Sequence, residues 1–289
     1  MIGRLRAARV IARVQLSELA LSPGPYIALG LGMAIAWALC AGFAGAIDSS
    51  GFDPRRSPVW NVCTRALSGA FGPVFVERML TEGPFLAALV AAAAPMLTLL
   101  SIGSVFRFGQ EKSAGAMELI CYGPADGTSW FLGSFLKDAA LTAASLLVIV
   151  LYCLLLAGMH NLVAGPMFAA AIPVLFLLAV SISSLGILCS VLAANAAAAL
   201  ALFLGLLVLF AASLTGSIGA GTPAVRTVSQ AVSAILQWFS PFHYAALAAR
   251  GYSGGRAGEY GGALALLIAL TAGALTVSHA VLWRRGVRP

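Results

Sequence analysis

Residues 84–124 read PFLAALVAAAAPMLTLLSIGSVFRFGQEKSAGAMELICYGP, and two environments meet within them. No charge occurs from Pro84 to Phe106, a run long enough to cross the roughly 30 Å hydrocarbon core of a bilayer as a helix. A polar island follows, carrying Arg107, Glu111, Lys112 and Glu118 before Gly123-Pro124. Read as a helix, the island sets Glu111, Gly115 and Glu118 on one face at i, i+4, i+7, with Ala114, Met117 and Cys121 in an apolar stripe beside it. A helix of that kind packs against something, and a chain with so little aqueous mass of its own points to another protein.

The rest of the chain places the island in a membrane. Of its 289 residues 61% are hydrophobic and 9% charged, and the mean hydropathy is +0.97, which water does not solvate as a globular surface. Counting apolar runs of about 20 residues gives six spans, at 26–47, 84–106, 136–157, 167–190, 196–214 and 260–283. Lys137 and Asp138 stand at the entrance of the third. The expected organisation is a single all-α membrane domain over 1–289, with an amino-terminal elbow at 1–22, an outer loop at 48–83, a cytoplasmic loop at 107–135, a short hinge at 191–195 and an outer hairpin at 222–250.

Lys and Arg collect on cytoplasmic flanks. Arg4, Arg6, Arg9 and Arg13, the island's Arg107 and Lys112, and Arg284, Arg285 and Arg288 therefore place both termini and the island inside, and two inner termini require an even number of spans. Arg55, Arg56, Arg65 and Arg78 fall in the first outer loop, beside Asp48, Asp53, Glu77 and Glu82. The net charge of +7 suits anionic lipid and not nucleic acid, because no basic stripe is interleaved with stacking aromatics. Arg6, Arg9 and Arg13 share a helical face opposite Ala7, Ile11 and Val14, the pattern of a helix lying flat on a membrane, and with Arg284 and Arg285 they anchor the chain to its inner surface. The apolar run after this elbow is too long for the core of a secretory signal.

No Asp, Glu, Lys or Arg falls in the middle of a span, where proton- or ion-coupled carriers keep their relays. His279 lies near the inner interface, one turn before Trp283. Neither lysine fits a phosphate-binding Gly-Lys-Ser/Thr loop, since Lys112 follows Glu111 and Lys137 precedes Asp138. Cys40, Cys63, Cys121, Cys153 and Cys189 are odd in number and make no C-x-x-C pair. Met159, His160 and Met167 lack the regular spacing of a metal site, so no metal is expected.

Glu111, Gly115, Glu118-Leu119 and Pro124 just past the second span, followed by Gly133 and Lys137, resemble the permeases of ABC-2 type transporters. Where that family often carries Thr before the Glu-Leu pair, this chain has Ala116-Met117. The resemblance covers most of the chain and implies a plasma (inner) membrane exporter of a prokaryote. One permease would form half of the translocation path and pair with a second copy, identical or related. ATP and Mg would be bound by a separate cytoplasmic ATPase subunit, with no cofactor in this chain. Glu111 to Pro124 would then be the coupling helix seated on that ATPase. Gly115 permits close approach, Met117 and Ile120 give adaptable apolar contact, and Glu111 and Glu118 can pair with basic groups.

Between the fifth and sixth spans, Thr222-Pro223 has the form of a cap followed by proline. Val225, Val228, Val232, Ile235 and Phe239 then form one stripe, with Arg226, Gln230, Ser233 and Gln237 on the other side. The same signature at Ser240-Pro241 starts a second helix, Phe242 to Arg250, that Gly251 is expected to end. The resemblance implies that this hairpin closes the outer mouth of the path. Two other classes stay open: a secondary carrier or channel, which needs buried ionisable groups or an inverted repeat, and a membrane enzyme, which needs clustered catalytic groups.

Overall fold

The computed structural model describes residues 2–48, 58–113, 127–215 and 232–284, and among them helices are the only regular structure. α1 (Ile2–Leu21) turns at Ser22 into α2 (Pro23–Asp48). α3 (Pro58–Phe71) and α4 (Pro73–Glu82) lead into α5 (Phe85–Ser113), and α6 (Gly127–Met159) and α7 (Pro166–Leu192) follow. α8 (Ala196–Thr215), α9 (232–239), α10 (Pro241–Ser253) and α11 (Ala257–Arg284) complete the order. Proline opens α2, α3, α4, α7 and α10, where a missing N–H is harmless and its fixed φ suits the first turn.

Six helices, α2, α5, α6, α7, α8 and α11, are long and apolar enough to cross a membrane, and the protein is an all-α integral membrane protein. The segment 48–83, read as an outer loop, carries α3 and α4. Trp60 explains how α3 is fixed: its indole is fully buried, lies 5.3 Å from the ring of Phe43 and donates from Nε1 to the Leu39 carbonyl at 3.3 Å.

α7 is the most buried span and packs against α5, α6, α8, α10 and α11. Hiding apolar surface from lipid gains little, so the contacts come from small residues and short polar links. Ser181 Oγ lies 2.8 Å from Thr271 Oγ1 on α11, and Ser190 Oγ donates to the Val105 carbonyl of α5 at 2.9 Å. Links of this kind contribute about 0.6 kcal/mol each. Ser183, Ser184 and Gly186 are buried within the chain, whereas Gly205 is exposed on α8. Cys40, Cys153 and Cys189 are buried free thiols that serve as small apolar packers.

α6 begins at Gly127, well before the expected Leu136, so Lys137 and Asp138 lie about three turns into a helix. Both are buried, with side-chain exposures of 6% and 3%, and Lys137 Nζ is 3.0 Å from Asp138 Oδ1. The extension is stable because α1 packs along α6, with Gly133 facing Ala8 and Ile11. α1 therefore has three faces instead of the expected two. Arg6, Arg9 and Arg13 are exposed; Ala8, Ala12 and Gln15 are buried; Val10 and Val14 form an exposed apolar strip. Ile11 belongs with the protein-facing side and Val14 with the strip.

The tightest approach joins α2 to α5, where a β-carbon on Gly32 would run into the Ala92 carbonyl group, which is backbone and cannot swing aside. Gly30, on the same helix, has open space around it. Gly32→Ala should lower stability by about 1–3 kcal/mol, as overpacking does. Gly30→Ala should be neutral or slightly stabilising, and thermal unfolding in detergent compares the two.

Candidate functional site

At one end of the bundle, α4 clasps two helix ends. Glu82 accepts from the Met167 N–H at 2.7 Å through one carboxylate oxygen, in the first turn of α7. No side chain of that helix caps it, because the capping position is Gly165, where a β-carbon would come within 2.6 Å of Glu82 Oε2. Through its other oxygen Glu82 accepts from Arg78 Nε at 3.3 Å. Arg78 in turn donates to the carbonyls of Tyr252 and Ser253 at the end of α10, and its guanidinium lies 5.8 Å from the centre of the Tyr252 ring. An anion sits at a helix start and a cation at a helix end, so both charges act with the helix dipoles.

The hairpin helices hang from this clasp. Ser240 caps α10, its side chain accepting from the His243 N–H at 3.3 Å, with Pro241 buried in the first turn. α10 does not end at Gly251 but runs on to Ser253, because that glycine serves a close approach. A β-carbon there would lie 2.8 Å from the Tyr260 nitrogen of α11. The chain turns instead at Gly254 and Gly255, the latter with φ of 70°. Burial, and then the nearby Arg250, hold the His243 imidazole below its usual pKa, which favours the neutral ring.

α9 is held from its polar side. Gln237 donates to the Ser213 carbonyl at 3.4 Å, and the Tyr244 hydroxyl donates to the Trp238 carbonyl at 2.8 Å. Leu236 turns inward toward Leu185, Phe210 and Ala274. The stripe proposed for the gate points the other way: Val232, Ile235 and Phe239 are 45%, 63% and 59% exposed, and Trp238 shares that surface. Val228 lies outside the described residues.

At the opposite end of the bundle, α5 continues as one helix beyond Phe106 to Ser113 and carries Glu111 in its last turn. Three contacts fix that end. A β-carbon on Gly109 would come within 2.7 Å of Ala196 at the start of α8; one on Gly186 would come within 2.8 Å of Val105; and Ser190 bonds the Val105 carbonyl. Gly115, Met117, Glu118, Leu119 and Pro124 lie outside the described residues, as does Arg285. Arg284 is exposed at the end of α11, and His279 is exposed on the surface of the same helix.

Sequence reasoning treated Arg78 and Glu82 as opposing loop charges and missed the clasp. Their i, i+4 spacing between Pro73 and Gly83-Pro84 was a usable signal for a helix, although the partners on α7 and α10 are set only by tertiary packing. Glu82→Ala should cost about 1–3 kcal/mol, the penalty for stripping a partner from part-buried donors. Glu82→Gln, which keeps an acceptor but loses the charge, should cost less. Thermal unfolding and amide exchange around residues 166–170 measure both.

A family model described as ABC-2 family transporter protein matches residues 81–279, well over half of the chain. No curated protein and no solved structure matches it.

Proposed function

The chain belongs to the ABC-2 transporter family and is a membrane-spanning transport component, and from that premise we propose that it is half of an ATP-driven exporter worked by a separate ATPase subunit. The observation that supports the reading is the Ser113 end of α5, which we read as cytoplasmic. This helix leaves the membrane unbroken, delivers Glu111 to the start of the 107–135 loop, and is locked to α7 and α8 through Val105, Gly109 and Ser190. A push on Glu111, Gly115, Met117, Glu118, Leu119 and Pro124 is then passed to two further spans as a rigid displacement. ATP and Mg belong to the partner, which closes on nucleotide and supplies the push. Two permeases, identical or related, rock apart to open an outward path, with both termini on the cytoplasmic side.

Glu118→Lys in the assembled complex is expected to abolish co-purification with the ATPase or to leave hydrolysis running without transport. Unchanged assembly and transport in that variant would reject the coupling role.

The exposed Val232, Ile235 and Phe239 favour a second element of the reading, that α9 of one permease faces its counterpart across the outer mouth. Cysteines at Ile235 in both copies, joined by an oxidative crosslink, should halt export and recover on reduction. Full transport by the crosslinked pair would remove the gate from the scheme.

A further inference from the structure

A cavity of about 310 Å³ opens between α3, α4, α5, α7, α10 and α11, apart from the hairpin face and the Ser113 end of α5. Its wall is apolar almost throughout, with Phe75 and Met79 from α4, Ala91 from α5, Val174 from α7, and Ala248 from α10. Tyr252 and Tyr260 are its polar-tipped lining residues, and the Tyr260 hydroxyl is engaged in donating to the Ala170 carbonyl at 2.9 Å.

Depth gives the second clue. The lining runs on α5 from Leu86 to Ala94 and on α7 from Met167 to Leu178, the first third to half of each helix counted from the α4 end of the bundle. On α7 that is roughly 16 Å at 1.5 Å per residue, close to the hydrocarbon depth of one leaflet, about half of 30 Å. The volume falls at the lower end of ligand pockets, roughly 300–1,000 Å³. Apolar cavities of this kind exclude water and accept apolar guests.

We infer that this cavity is a binding site for one hydrocarbon chain of a membrane lipid from the leaflet at the α4 end of the bundle, the outer one in the orientation proposed above. The site is built within a single chain, so it differs from a translocation path shared by two permeases, and it does not rest on ATP-driven transport. It also lies directly under the clasp. Met79 and Tyr252 line it, while Arg78 between α4 and α10 lies over the Tyr252 ring. A chain seated there wedges the space that α4 closes from above.

The shared chemistry is an alkyl chain, and its source is either a phospholipid or a free fatty acid. The test uses the full chain in nanodiscs of phosphatidylethanolamine and phosphatidylglycerol, doped with phosphatidylethanolamine or fatty acid bearing a terminal diazirine. After illumination, adducts are located by peptide mass spectrometry. Adducts within 86–94 and 167–178 are expected from at least one probe, and the probe that gives them identifies the source. Ala91→Phe and Ala171→Phe, which fill the cavity from two different helices, should each reduce those adducts to background, with unfolding temperature confirming that at least one variant is folded. Adducts confined to the exposed face of α6 at Leu147, Leu151 and Leu155, or cavity adducts that survive both fillings in folded protein, overturn the site.

Discussion

Helices in hydrocarbon gain almost nothing by hiding apolar surface from their solvent, so how closely backbones approach decides whether these spans hold together. Glycine sets that distance at several depths: Gly32 against Ala92 between α2 and α5, Gly186 against Val105 between α5 and α7, Gly109 against Ala196 between α5 and α8, and Gly133 against Ala8 between α1 and α6. α5 takes part in three of these four approaches. It is the common strut of the bundle, and it is also the helix that runs into the polar island at 107–124.

The two ends of the bundle are built on different principles. Around the Ser113 end of α5, Gly109 sits against the Ala196 backbone and Gly186 against the Val105 side chain, with one hydroxyl link from Ser190, and packing this dense has little give. At the α4 end, charged and polar contacts through Arg78, Glu82, Gln237 and Tyr244 join the close approach of Gly251 to Tyr260, with a cavity beneath. Polar links of that kind can be exchanged for water, whereas close apolar packing has no such substitute.

Hydropathy made the six spans and the membrane class legible, because bilayer thickness imposes a length that any apolar run either meets or misses. Caps were legible for the same local reason: Ser240-Pro241 starts α10 through groups adjacent in sequence. The reading failed where a residue answers to a distant partner. Gly251 looked like a helix end and is a contact with α11; Val14 and Ile11 looked like one face and are two; the polar side of α9, not its apolar stripe, turns inward. In water the last pattern would be inverted. At a membrane boundary lipid or a neighbouring chain takes the apolar side, and periodicity alone does not say which side meets the protein.

Lys137 and Asp138 bring opposite charges side by side into α6. Moving one elementary charge through the membrane potential takes about 2.3 kcal/mol per 100 mV. Together this lysine and aspartate contribute no net charge, so sliding that stretch of α6 along the membrane normal as a unit carries no net charge through the field. The third span can thus travel in the same way in an energised cell and a depolarised one, leaving voltage with no lever on it at this position.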